Sequence, residues 1–128
     1  MSSARCETVV LVVEDEMLVR MHGVGILEDA GFKVLEAANA DEALAILDKH
    51  DDVRLLFSDV DMPGTMDGLE LVRLVHNRWP AIRLLLTSGH RHLKNDSLPD
   101  NGEFVRKPWS ESVLIQKVQS VLEPASSN

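Results

Sequence analysis

The sequence predicts an α/β fold, a doubly wound (βα)5 unit whose five-stranded parallel sheet carries helices on both faces. Three observations predict it. Short apolar, β-branched runs alternate with amphipathic segments of helical period, the pattern of a parallel sheet. The runs TVVLVV, LLFS and LLLT are continuous rather than alternating, as in strands covered on both sides. Finally, several runs stop abruptly at acidic or hydroxyl residues, which would then stand at the C-terminal edge of the sheet, where open α/β sheets form ligand crevices.

Residues 8–13 read as the first strand, ending in Glu14-Asp15-Glu16. Acidic residues there also suit the first turn of a helix, where the macrodipole favours them. Residues 17–30 read as that helix, stopped by Gly31. Val19, Gly23, Ile26, Leu27 and Ala30 share one face, and Leu18, Met21 and Gly25 form a second strip. The glycines at 23 and 25 point either to close helix–sheet packing or to a docking face for a partner's helices. Residues 32–37 form a shorter strand, and a helix from 39 or 40 to 49 turns Ala43, Leu44 and Leu47 inward.

The third strand covers 53–58 and delivers Asp59 at its end. A helix over 68–78 follows, with Leu69, Leu71, Val72 and Val75 apolar, and Pro80 bars its continuation. Residues 81–87 are the fourth strand, closed by Ser88-Gly89. The polar stretch 90–98 has little periodicity and predicts a short helix ended by Pro99. Residues 102–106 make the fifth strand. Lys107-Pro108 turns the chain into a last helix over 110–122, with Val113, Leu114, Val118 and Val121 inward. The domain is expected over 7–123, with an arm at 1–6 and a tail at 124–128.

The chain has 128 residues, 45% hydrophobic and 27% charged, which suits one globular domain. A formal net charge of -8 argues against nucleic acid and against an anionic membrane surface, since both need basic patches. Cys6 is the sole cysteine, so there is no internal disulfide and no thiolate metal cage. No apolar run approaches the roughly 20 residues of a membrane span, and the N-terminus lacks an apolar signal core. A cytoplasmic protein is expected.

Under this topology Glu14, Asp15, Asp59, Thr87, Ser88 and Lys107 gather on one sheet edge. Crowded carboxylates repel each other unless a cation neutralises them. Hard oxygen ligands with room for water suit Mg²⁺ or Mn²⁺ rather than zinc. Asp59 reads as a nucleophile that takes up a phosphoryl group, an established role for carboxylates. Lys107 would set a point charge on a phosphoryl oxygen, and Thr87 would offer it a hydroxyl. Each residue alone has a plain structural reading as a helix cap, a turn or a strand end. Their coincidence on one edge favours the chemistry.

These residues resemble the receiver domain of two-component response regulators. The resemblance rests on Glu14-Asp15, on Asp59 with Met62-Pro63-Gly64, on Asp67-Gly68-Leu69-Glu70-Leu71, on Thr87-Ser88-Gly89 and on Lys107-Pro108. It covers about residues 7–122. It implies a flavodoxin-like strand order and phosphotransfer to Asp59 from a histidine kinase or histidine phosphotransfer protein. It implies Mg²⁺ held by Asp15, Asp59 and the backbone carbonyl of Asp61, with Glu14 assisting through water. It also implies a switch coupling Thr87 to the aromatic three residues before the lysine, Phe104, whose ring would bury on phosphorylation. The chain departs from the usual pattern in three places. The turn at 64–68 is one residue longer, Phe104 lacks the more common tyrosine hydroxyl, and Asp61 adds a fourth carboxylate.

The expected function is therefore a single-domain response regulator that signals through protein contacts with an unnamed downstream target. It would be no enzyme beyond self-catalysed phosphotransfer and slow autodephosphorylation. A phosphorelay sink and a receiver cut from a hybrid kinase are the alternatives within this reading. A rival is a Mg²⁺-dependent phosphatase of the haloacid-dehalogenase type, to which Asp59-Val60-Asp61 is similar. There the acidic metal ligands come later in the chain, whereas here the acidic pair precedes Asp59. A flavin- or nucleotide-binding module is a second rival, but Glu14-Asp15-Glu16 would repel a phosphate in the first strand–helix loop.

Overall fold

The structure, a computed structural model, describes residues 8–62, 66–89 and 102–122. In chain order the elements are β1 (Val9–Val13), α1 (Met17–Asp29), β2 (Lys33–Ala37), α2 (Ala40–Lys49), β3 (Val53–Asp59), α3 (Gly68–Arg78), β4 (Arg83–Ser88), β5 (Gly102–Arg106) and α4 (Glu111–Leu122). The sheet is wholly parallel with strand order β2-β1-β3-β4-β5. This is the doubly wound architecture expected. The expected helix at 90–98, the N-terminal arm, the tail and most of the turn after Met62 lie outside the described residues.

Strand alternation divides the core into two layers. Leu11, Leu56, Leu84 and Leu86 point to one face, where α2 and α3 cover them with Ala43, Leu47, Leu71, Val72 and Val75. Val10, Val12, Leu55, Phe57 and Leu85 point to the other, under Val24, Ile26 and Leu27 of α1 and Leu114, Val118 and Val121 of α4. Leu11, Leu55, Leu56 and Leu85 are each fully buried, which explains their continuous apolar runs.

The helix ends follow local chemistry. Gly31 adopts φ 101°, and the amides of Gly31 and Phe32 donate to the carbonyls of Glu28 (3.0 Å) and Leu27 (3.1 Å). That is a Schellman stop, and it ends α1 at Asp29. Asn39 caps α2 by accepting from the Glu42 amide at 2.9 Å. Asp67 and Glu70 form a reciprocal capping box at the start of α3.

Two inward assignments need correction. Ala30 is exposed, because the chain has already left the helix there, and Val24 takes its place in the core. Val113 is 46% exposed, since α4 buries the 114/118/121 stripe instead. In α1, Leu18 and Met21 are 78% and 58% exposed, so the second apolar strip faces outward. Gly23 does serve packing: a Cβ there would lie 3.3 Å from the Trp109 ring, whereas one at Gly25 would meet nothing within 4 Å.

Gly68 holds the end of β3 against α3. Its amide donates to the Val60 carbonyl at 2.9 Å, and an added Cβ would lie 2.8 Å from the Asp59 carbonyl carbon. Backbone cannot yield as a flexible side chain can. We expect Gly68→Ala to cost about 1–3 kcal/mol through overpacking. Gly25→Ala, in an open helical position, should stabilise by about 0.5–1 kcal/mol. Urea unfolding midpoints of the two variants should move in opposite directions; a Gly68→Ala midpoint equal to wild type would contradict this packing.

Candidate functional site

The same alternation that builds the α1/α4 layer places the polar residues of the sheet edge. Val12, Phe57, Leu85 and Val105 all belong to that layer. Two residues further along, on the same face, stand Glu14, Asp59, Thr87 and Lys107. Asp59 and Thr87 are direct register partners across β3 and β4. The spacing thus brings two carboxylates, a hydroxyl and an ammonium to one place.

The cluster is tight. Lys107 Nζ lies 2.8 Å from Glu14 Oε1 and 3.2 Å from Asp59 Oδ2. Glu14 is 3% exposed and Asp59 5% exposed. Carboxylate oxygens of Glu14, Asp15 and Asp59 lie within 4.8 Å of one another, with Asp15 on the exposed side. The Asp61 amide donates to Asp59 Oδ1 at 3.3 Å, and Ser88 Oγ donates to Asp61 Oδ2 at 2.7 Å. Arg20 Nη1 donates to the Glu14 carbonyl at 2.8 Å, and the Glu16 amide to Glu14 Oε2 at 3.1 Å. The backbone ties the strand ends together: the Val60 amide bonds the Thr87 carbonyl at 2.9 Å and the Lys107 amide the Ser88 carbonyl at 3.1 Å. The Lys107–Pro108 peptide bond is cis.

Above Asp59 lies a polar cleft of about 190 Å³ bordered by Asp15, Asp61, Gly89 and Lys107, with Glu16 and Val19 on the α1 side. Beside it is an apolar groove of about 250 Å³ formed by Leu18, Val19, His22, Lys107, Pro108 and Trp109. Val19 and Lys107 belong to both.

Burial raises the pKa of Glu14, against the lowering effect of its hydrogen bond to Lys107. Burial raises that of Asp59 as well, opposed first by the charge of Lys107. For Lys107 burial acts downward, but the Glu14 hydrogen bond and the two carboxylate charges outweigh it and the net shift is upward. Fully ionised, three carboxylates against one ammonium leave two excess negative charges. A divalent cation would neutralise them, and an all-oxygen donor set open to solvent on the Asp15 side fits Mg²⁺. The arrangement can hold such a cation, accept an electrophile on Asp59 and neutralise oxygens with Lys107.

Each predicted residue can now be placed. Glu14, Asp15, Asp59, Asp61 and Lys107 converge. Thr87 is 2% exposed, and its Oγ1 accepts a hydrogen bond from Trp109 Nε1 at 2.8 Å. Phe104 is not beside it. That ring pairs in register with Leu86, is 9% exposed and lies in the α2/α3 layer, on the other face of the sheet. Sequence reasoning missed Trp109, Arg20 and the close approach of Gly68. Trp109 carried a signal: it keeps the parity of Lys107, and a buried indole N–H needs an acceptor.

A family profile described as Response regulator receiver domain matches residues 10–119. The sensor kinase CckA of Brucella abortus is 39% identical over 118 residues, covering 89% of this chain and 12% of that protein. The nitrogen assimilation regulatory protein NtrX of Azorhizobium caulinodans is 30% identical, over 89% of this chain and 26% of its own length. The chain thus spans only a minor part of these curated relatives. Among solved structures, the receiver domain from the hybrid histidine kinase CckA superposes with a TM-score of 0.77 at 32% identity, covering 90% of this chain and 99% of that one. The Vibrio cholerae chemotaxis protein CheY4 gives 0.81 at 28% identity, over 91% of this chain and 100% of its own.

The raised carboxyl pKa values fix a sign for pH dependence. As pH rises above the ordinary values of 4.5 for Glu14 and 3.8 for Asp59, the folded state retains more protons than the unfolded one. These two groups therefore contribute less stability as pH climbs from about 4 toward their folded values. Lys107 acts in another window, losing its contribution only as pH rises from 10.5 through its raised folded value. In calorimetry of the metal-free protein, Asp59→Asn should flatten the acid-to-neutral decline in thermal midpoint. Added Mg²⁺ should raise the wild-type midpoint, and more at pH 8 than at pH 5, because metal and protons compete for the same oxygens. A Mg²⁺ effect independent of pH would speak against this set of ligands.

Proposed function

The chain belongs to the response regulator receiver domain family, and on that footing we propose that it accepts a phosphoryl group on Asp59 within a two-component system. The observation that carries the reading is the Asp59 carboxylate at the tip of β3, 3.2 Å from Lys107 Nζ and open to a polar cleft.

The donor in this proposal is a phosphohistidine on a histidine kinase or histidine phosphotransfer protein. An Asp59 oxygen attacks phosphorus and a new P–O bond forms. The P–N bond breaks, and its electron pair stays on the imidazole nitrogen, which takes up a proton. Lys107 neutralises charge on the phosphoryl oxygens. Glu14, Asp15, Asp59 and the backbone carbonyl of Asp61 would hold Mg²⁺, with Mn²⁺ as a substitute. The ion would supply charge neutralisation between carboxylates and phosphoryl group. Thr87 and Phe104 form the proposed switch pair. They occupy opposite faces of the sheet, on adjacent strands β4 and β5. Phosphate returns to water by slow autodephosphorylation, with no turnover of an external substrate.

Leu18, 78% exposed, lines the apolar groove, and Met17 and Met21 of the same helix are exposed at 60% and 58%. An apolar patch beside a phosphoryl-accepting carboxylate suits docking of the donor's helices. Output passes to another protein by surface contact, in the bacterial cytoplasm. Among the described residues, no helix is long and apolar enough to cross a membrane. The receiver unit is taken as 7–123. A second reading, a receiver that belongs to a hybrid kinase or relays phosphate onward, is favoured by the 39% identity to a sensor kinase.

Incubation with acetyl phosphate and Mg²⁺, followed by intact mass, tests the assignment. Wild type should gain one phosphoryl mass and Asp59→Asn none. Lys107→Ala should form the adduct about 100-fold more slowly, the usual scale for losing one charge-stabilising donor. An adduct of equal yield in Asp59→Asn would remove Asp59 from the role.

A further inference from the structure

Trp109 lies next to the site without a part in the chemistry described so far. It is 7% exposed, and three neighbours hold its ring. Gly23 leaves room for one edge, Phe57 packs at 5.3 Å with a 56° tilt, and His22 stacks at 5.8 Å and 8°. Packing therefore sets the direction of the indole N–H independently of its acceptor. That acceptor is Thr87 Oγ1, at 2.8 Å.

An indole N–H can only donate, and a phosphoryl oxygen can only accept. A hydroxyl satisfies both at once, accepting on the oxygen and donating its own hydrogen. Thr87 is the register partner of Asp59 on the same sheet face, so the hydroxyl that accepts from the indole belongs to the residue beside the acceptor carboxylate. We propose that Trp109 is a positioning residue for phosphoryl acceptance: by donating to Thr87 Oγ1 it leaves the Thr87 hydroxyl hydrogen as the donor to a phosphoryl oxygen on Asp59. The inference rests on the receiver reading above. Without the indole N–H, the hydroxyl can turn its hydrogen to a nearby backbone carbonyl, as threonine hydroxyls readily do.

A double-mutant cycle on phosphorylation rate tests this. Trp109→Phe keeps an aromatic ring against Gly23 and Phe57 but removes the donor, and Thr87→Val removes the hydroxyl while keeping the shape. With acetyl phosphate and Mg²⁺, Trp109→Phe should slow adduct formation about 2- to 10-fold, the worth of one net hydrogen bond. In the Thr87→Val background it should have no further effect. The Mg²⁺ dissociation constant should stay at the wild-type value in Trp109→Phe, since the ligands are carboxylates. A wild-type rate in Trp109→Phe, or an equal slowing with and without the Thr87 hydroxyl, overturns the proposal. Should Trp109→Phe not fold, hydrogen exchange of the Trp109 indole decides, read in a Trp79→Phe background with a single indole. Protection lost in Thr87→Val supports the bond, and unchanged protection overturns it. Failure of wild type to form any adduct on Asp59 would instead sink the receiver reading, a result separable from either outcome of the exchange comparison.

Discussion

The ion pair of Lys107 with Glu14 and Asp59 is the constraint on which the rest of the site depends. Two carboxylates, each at least nine-tenths buried, would repel one another and lose hydration without compensation. The ammonium compensates both. It also spans the sheet, because β5 is separated from β3 by β4 and from β1 by two strands. A long, flexible lysine stem can cover that distance while placing a compact charge at its end. The strand order thus sets the length of the residue required, and the residue in turn cross-links the edges of three strands.

Register and chemistry are one constraint here. Glu14, Asp59, Thr87 and Lys107 are successors, at a spacing of two, of buried residues in the α1/α4 layer. A one-residue slip of β3 would turn Phe57 out of its layer and put Ser58 where Asp59 belongs. The hydrophobic pattern that selects the correct pairing therefore selects the correct active edge as well. Gly68 adds a second control, since the Asp59 main chain can lie so close to α3 only where no Cβ intervenes.

Much of this was legible in the sequence, for physical reasons that differ by residue. The buried strands announced themselves because parallel strands covered on both faces need unbroken apolar runs. Asp59 and Glu14 could be placed because each sits directly at the end of such a run, and Lys107 because it follows the short fifth strand. The helix faces were harder. Ala30 and Val113 fit a helical stripe by spacing, but the Schellman stop at Gly31 and the turning of the 114/118/121 stripe of α4 to the sheet decide what is buried. The neighbour of Thr87 was harder still. Strand parity sends the Phe104 ring to the opposite layer, and the indole that bonds Thr87 comes from Trp109, beyond the strand. Contacts across elements depend on packing that no local pattern encodes.

The shared wall between the polar cleft and the apolar groove has a thermodynamic consequence. Val19 and Lys107 border both spaces, so the two occupants are not independent. Any change that a groove occupant makes in the free energy of phosphoryl addition is matched, with the same magnitude and sign, by the change that the phosphoryl group makes in groove binding. A protein that binds the groove more tightly when the cleft is charged must also make the charged state easier to form. In such a layout donor and reader are distinguished by the sign of that reciprocity, since a donor must leave once the charge has arrived and a reader must stay.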